Sequence, residues 1–352
     1  MKKIISFGLL CSTLLIMNGC QSQRLWYLFL NCIVDIAPSR FHLEEDHKKL
    51  SIPIVTSHPL DKINHETEYL IIVIHGGGLN AENTFETAQK LIETLKMPKD
   101  RFLVLAPQII EGVKLDEKGL LFWDRKWRGG GMSLSTGLNK DLPRLSSFEV
   151  MDRLIDVSIK LNPIIHRIII LGHSAGGQFV VRYAAINSRH ELLEQQGISI
   201  RYVVANPSSY PYLNETRYQL NSKGEIQKIP REEFVDCPNY NKYRYGMEDL
   251  YGYAETLSIQ TIQTRLLTRP IMFLLGTEDI DRNWSLDKSC EADAQGRNRH
   301  ERGILYRRHL NQFVKDVTNS QHIWLEIPGI GHNPSEMFTH TKFIKKLKTL
   351  DF

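Results

Sequence analysis

Arg167-Ile168-Ile169-Ile170-Leu171-Gly172-His173-Ser174-Ala175-Gly176-Gly177-Gln178-Phe179 is the stretch on which the reading of this chain turns. Four apolar residues, Ile168 to Leu171, run straight into a serine flanked by glycines, the pattern of a buried strand, a sharp turn and a helix. A serine on such a bend has its hydroxyl held out beyond the strand end. Side chains at Gly172 or Gly176 would collide with the strand and helix backbones that close around it. The helix starting at Ala175 aims unpaired backbone N–H groups at any negative charge that develops nearby.

Working upstream, Glu68 to Ile74 reads as a strand buried on both faces, and it ends in His75-Gly76-Gly77-Gly78. Thr84 to Leu95 follows as a helix and Arg101 to Ala106 as the next strand, with Ser51 to Thr56 as a first strand before them. This βαβ alternation predicts an α/β fold: a mainly parallel, doubly wound sheet with helices on both faces. The glycine run matches neither G-x-G-x-x-G nor a phosphate-binding G-K-[ST] loop. It is read as an oxyanion loop, in which the N–H groups of Gly77 or Gly78 join that of Ala175 around one oxygen. His75 braces the loop. Gln108 to Ser147 is long and irregular, and its Trp123 and Trp127 either wall an acyl or aromatic pocket or form a structural cluster. Ser147 to Leu161 is an amphipathic helix leading into the serine strand.

Downstream, Gln178 to Ala185 continues the helix and Arg201 to Asn206 is a strand. A polar, tyrosine-rich excursion, residues 207–263, sits between core strands where a lid over the site belongs. Pro270 to Gly276 is the following strand and delivers Glu278, Asp279 and Asp281 at its end. Ile323 to Ile327 is the last strand, followed by Pro328-Gly329-Ile330-Gly331-His332 and one closing helix, Ser335 to Leu350. A serine hydroxyl attacks only when a base takes its proton, and the base needs a carboxylate to orient it and stabilise its charge. The chain supplies them in the order Ser174, Asp279, His332. Asp279 is preferred as third residue after Gly276, with Asp281 and Glu278 as alternatives on the same turn. His173 is set aside as base because it lies inside the bend and points elsewhere.

In these segments, from about Leu70 to His340, the chain resembles the α/β-hydrolase superfamily. Asn206-Pro207-Ser208-Ser209-Tyr210 and Ala294-Gln295-Gly296 with Arg299 and Arg302 are similar to one group of secreted hydrolases within it. The resemblance implies esterase-like acyl chemistry: hydrolysis of carboxylic esters through an acyl-enzyme, on a small-molecule or acyl-ester substrate. A serine peptidase or a polyester depolymerase on the same triad is the alternative, and a non-catalytic, hydrolase-like binding lipoprotein is a reading of another class.

The chain of 352 residues carries a formal charge of +4 and no basic stripe interleaved with aromatics, which speaks against nucleic-acid binding. Residues 1–19 read as a signal peptide, with Lys2 and Lys3 before the apolar Ile4 to Met17. Met17-Asn18-Gly19-Cys20 resembles a bacterial lipobox, so Cys20 is the expected lipidation site; plain secretion and a retained signal anchor are the alternatives. The expected location is the cell envelope, lipid-anchored at a membrane surface, and the outer membrane in a Gram-negative cell because Gln21 follows the cysteine. Residues 20–45 are read as a tether with the apolar Leu25 to Ile36, and residues 46–352 as the hydrolase domain. Cys237 and Cys290 are the expected disulfide, with free or otherwise paired thiols as the alternative. No metal-ligand spacing is present, and neither metal nor cofactor is expected.

Overall fold

The structure, a computed structural model, describes residues 36–112, 117–314 and 320–350. The signal peptide, Cys20 and the apolar run up to residue 35 lie outside the described residues. The strands are β1 (Ser39–Glu45), β2 (Lys48–Thr56), β3 (Tyr69–Ile74), β4 (Phe102–Pro107), β5 (Arg167–His173), β6 (Ser199–Ala205), β7 (Tyr218–Leu220), β8 (Ile226–Lys228), β9 (Ile271–Gly276) and β10 (Ile323–Ile327). Among the described residues, eight of them form one sheet in the order β1-β2-β4-β3-β5-β6-β9-β10, and β7 pairs with β8 alone. From β4 to β10 neighbouring strands are parallel. The order runs outward in opposite directions from β3 and β5, so the crevice beyond their carboxyl ends is the topological switch point where open α/β sheets hold ligands.

Alternation along the strands divides the core in two. Leu70, Ile72, Ile168 and Ile170 face one layer, and Ile71, Val73, Ile169 and Leu171 the other. The helices are α1 (Ala81–Leu95), α2 (Ser147–Leu161), α3 (Ala175–Ile186), α4 (His190–Gln195), α5 (Ile259–Thr268), α6 (Cys290–Asp293), α7 (Arg299–Val314), α8 (Pro334–Thr339) and α9 (Thr341–Lys348). α1, α8 and α9 cover the second layer; α2, α3, α5 and α7 cover the first. The α2 helix begins where Ser146 accepts from the Phe148 N–H, as the serine preceding its apolar stripe implies.

Three expectations are corrected. Residues 39–45 are not tether: β1 pairs antiparallel with β2 from Ser39↔Ile54 to Glu45↔Lys48, with Phe41 and Leu43 turned inward. The hairpin closes through Asp46 and His47, both in the left-handed region, a two-residue turn whose twist suits the strands. The closing helix is two helices, because His340 is extended (φ −63°, ψ 135°) and caps the second through Lys342. Of the two readings of Trp123 and Trp127, the structural cluster is the one found: both are fully buried in the first layer. The insertion stops before residue 263, because α5 starts at Ile259, behind the Ser258 cap.

The insertion is pinned on several sides. A disulfide joins Cys237 to Cys290 at the start of α6. Arg217 lies over the rings of Tyr212 and Tyr240, at 4.1 and 5.0 Å, and donates to the carbonyls of Asn214, Tyr240 and Tyr245. From α3, Arg182 donates to Arg244 O (2.7 Å) and Ser209 Oγ (3.0 Å), and Tyr243 Oη donates to Gly129 O (2.9 Å). The disulfide spans 53 residues, a loop whose closure constrains the unfolded chain by about 4 kcal/mol. Reduction, or Cys237→Ser with Cys290→Ser, is expected to lower the unfolding midpoint in urea by a corresponding amount. An unchanged midpoint would show that the other contacts hold the insertion alone.

Candidate active site

Ser174 connects β5 to α3 with φ 58° and ψ −117°, a left-handed conformation that side chains rarely adopt. The glycines around it are required by contact. A Cβ on Gly172 would lie 2.4 Å from the Gly176 backbone, and one on Gly176 would lie 2.1 Å from Ile74 O. The Ser174 N–H donates to Ala205 O, so the bend is tied to the neighbouring strand. Its side chain makes no capping bond to the helix and keeps 9 % of its surface open.

The loop after β3 forms a turn closed by the Leu79 N–H on Gly76 O, with Gly77 and Gly78 exposed at its tip. A Cβ on Gly76 would lie 3.8 Å from Ser174 Cβ, whereas at Gly77 and Gly78 it would meet nothing within 4 Å. The first glycine therefore packs against the serine, and the next two border open space. His75 secures the turn from beneath. Its Nε2 accepts from the Ile109 N–H (2.9 Å), which places the ring proton on Nδ1, where it donates to Gly76 O (2.8 Å). Burial lowers the His75 pKa from 6.5 to about 4.

This neutral histidine links the loop to acidity. An unfolded histidine takes up its proton near pH 6.5 and His75 in the fold only near pH 4, so between these values the unfolded chain binds more protons and stability falls as pH drops. The loss is about 1.4 kcal/mol per pH unit, or roughly 3 kcal/mol across the window. Urea unfolding at pH 7 and pH 4.5 is expected to show it, and His75→Gln to remove that share of the dependence. An equal slope in the variant would assign the acid sensitivity to other groups, such as His190, which burial also lowers to about 4.

The turn after β9 selects among the three candidate acids. Glu278 and Asp281 are exposed, while Asp279 is 1 % exposed and accepts from His332 Nδ1 on Oδ2 at 2.6 Å. With Nδ1 committed to Asp279, Nε2 is the ring nitrogen available to a hydroxyl. No hydrogen bond joins Ser174 Oγ to His332 among the described residues; in ligand-free sites such bonds are often long and tighten with substrate. His173 is nearer than its position in the bend implied. Its ring lies 4.4 Å from that of His332, and burial, followed by the charges of His332 and Arg299, pushes its pKa well below the usual histidine range.

Asn206 organises the site and was missed in the sequence as an individual residue. Its side chain accepts from the Gly276 N–H (2.9 Å) and donates to Gly331 O (3.3 Å), joining the acid turn to the histidine loop. Its left-handed backbone (φ 42°) after a strand end is the signal that asparagine gives there. The Asn206–Tyr210 segment also meets the Ala294–Arg302 segment. Tyr210 N–H and O pair with the Gln295 amide, and Arg302 Nη1 donates to Ser208 O.

Among the described residues, two groups of residue types that can ligate a metal come together, with ligand atoms within 4.8 Å of one another: His173 with Asp279 and His332, and Cys237 with Cys290 and Glu291. In the first, Asp279 and His332 already bind each other; in the second, the two sulfurs are bonded. A cavity of about 90 Å³ beside Arg167, Ser199 and Arg201 lies at the opposite, amino-terminal edge of the sheet and takes no part in this site.

No protein-family model and no curated protein matches the chain. Among solved structures it is similar to poly(aspartic acid) hydrolase-1 from Sphingomonas sp. KT-1, with a TM-score of 0.58 and 21% identity over 89% of this chain and 99% of that one. It is similar also to LpqC, a poly(3-hydroxybutyrate) depolymerase from Bordetella parapertussis, with a TM-score of 0.55 and 19% identity over 85% and 86% of the two chains. The fold is the α/β-hydrolase fold. In this fold the carboxyl ends of β3, β5 and β9 and the loop after β10 carry His75 to Gly78, Ser174, Asp279 and His332 to one edge of the sheet.

Proposed function

We propose that the chain is a serine hydrolase that cleaves carboxylic esters through an acyl-enzyme. The observation that carries the reading is the hydrogen-bonded pair of buried Asp279 and half-buried His332 on the same sheet edge as a serine held in a left-handed bend. Ser174 Oγ attacks the ester carbonyl carbon while His332 Nε2 takes its proton and Asp279 stabilises the imidazolium. The tetrahedral oxyanion is held by the N–H of Ala175, at the start of α3, and that of Gly77 or Gly78. Collapse expels the alcohol, which takes the proton from His332. Water, deprotonated by the same nitrogen, then attacks the acyl carbon and releases the carboxylic acid and Ser174.

A fluorophosphonate probe tests the chemistry: wild type is expected to be labelled covalently and Ser174→Ala to stay unlabelled. An unlabelled wild type would favour the non-catalytic binding protein instead. A panel of p-nitrophenyl esters of rising chain length beside the matching anilides separates esterase from peptidase.

A second reading is that the substrate is a polymer. It is supported by the names of the two similar structures above, a poly(aspartic acid) hydrolase and a poly(3-hydroxybutyrate) depolymerase. Release of soluble oligomers from polyester films distinguishes it from action on small esters only. We also propose export and lipid attachment at Cys20; mass spectrometry of the amino-terminal peptide from wild type and Cys20→Ala tests this.

A further inference from the structure

The Asp279 carboxylate has two oxygens, and His332 takes one. The other, Oδ1, faces the Arg299 guanidinium at 3.5 Å, and both side chains are sealed from solvent. Arg299 is itself held: Nε donates to Ser208 Oγ (3.2 Å), and Nη2 donates to Ser285 O (2.8 Å) and Ser285 Oγ (3.0 Å). The next residue, His300, donates its N–H to Asp279 O (3.2 Å), so the start of α7 is fastened to the acid turn through main chain and side chain together.

Other ionisable groups surround the pair. From β5, the His173 ring packs on His332, and burial keeps it neutral. From the insertion, Tyr210 keeps its phenol protonated, through burial first and then through the charges of Tyr212 and Asp279. The His300 ring turns away toward Glu326 (3.6 Å). Glu278 and Asp281 flank the acid on its own turn, and Glu336 and His340 follow His332 on α8 and beyond; of these, Glu278, Asp281 and Glu336 are exposed. Among the described residues, Arg299 is thus the permanent positive charge set on this carboxylate.

A buried carboxylate without a cation takes up a proton, because desolvation penalises the charged form. Before attack His332 must be neutral to act as a base, so at that stage it supplies Asp279 with no charge. We propose that Arg299 is a positioning residue that fixes the orientation of Asp279 and keeps it ionised while His332 is neutral. The role extends the pair's working range to lower pH. It rests on the hydrolase reading of the same site.

The test compares Arg299→Gln and Arg299→Lys with wild type. For an activated ester, Arg299→Gln is expected to move the acidic limb of kcat/KM upward by about one pH unit. Its plateau is expected to fall about tenfold through kcat, with KM unchanged. Arg299→Lys, which keeps the charge without the planar fork, brings the limb most of the way back. A lowered plateau with the limb in its wild-type position would mean a merely structural role and overturn the proposal. If Arg299→Gln does not fold, Ser208→Ala loosens the guanidinium instead; a smaller upward shift is expected, and none would count against the role. A readout independent of turnover is the low-field proton resonance of the His332 Nδ1–H on Asp279, identified by its loss in Asp279→Asn. It is expected to move or vanish in Arg299→Gln, and an unchanged resonance overturns the proposal even if the protein cleaves no ester. An inactive wild type with a shifted resonance would remove the hydrolase reading and leave the positioning role standing.

Discussion

Ser174→Ala is expected to lower kcat/KM for an activated ester by about five orders of magnitude while leaving the protein folded. The size of the loss follows from the proposed chemistry: without Oγ no acyl-enzyme forms, and only binding and the oxyanion donors remain to assist direct attack by water. The stability half of the expectation follows from local structure. The Ser174 side chain makes no capping bond to α3, and alanine meets the same backbone strain at φ 58° as serine does. Steady-state rates beside circular dichroism and thermal unfolding check both halves. A folded variant retaining a hundredth of wild-type activity would point to a different nucleophile.

Asp279→Asn follows, with a loss of about 10⁴-fold in kcat and little change in KM. Asparagine offers its N–H₂ or its carbonyl to His332 Nδ1. When the amide donates, the ring carries its proton on Nε2 and has no lone pair for the serine. The substitution also leaves the buried Arg299 guanidinium facing a neutral amide, so a stability loss of about 3 kcal/mol accompanies it. Asp281→Asn and Glu278→Gln act on exposed carboxylates of the same turn and are expected to stay within twofold of wild type. Equal losses at Asp279 and Asp281 would place the acid elsewhere.

Much of the fold is legible in the sequence because parallel strands buried on both faces are continuous apolar runs, as in Ile168 to Leu171 and Leu70 to Ile74. The bend at Ser174 is legible because contact forces glycine at 172 and 176. What stays hidden is hidden for physical reasons. β1 turns only Phe41 and Leu43 inward, too short an alternation to stand out beside a preceding apolar run. α7 carries no apolar stripe, because it buries Arg299, Arg302 and His309 alongside Leu305, Tyr306 and Leu310. The spacing after Gly276 favours Asp279, but which of the three carboxylates turns under the sheet edge is a matter of side-chain direction that Glu278, Asp279 and Asp281 do not encode locally. The contact between His173 and His332 joins residues 159 positions apart and leaves no local mark.

The two sides of the site are held by different chemistry. The glycine turn rests on His75, a neutral ring that acid converts to a cation near pH 4. The insertion rests on Arg182 and Arg217, which burial lowers only to about 10, on His309, a ring kept neutral by burial whose Nε2 accepts the Leu213 N–H, and on a disulfide. Both sides thus carry a buried neutral ring that acid converts to a cation. What sets the insertion apart is the disulfide, a covalent bond between residues 237 and 290 that a change of pH does not open, so the two stay neighbours even in the acid-unfolded chain.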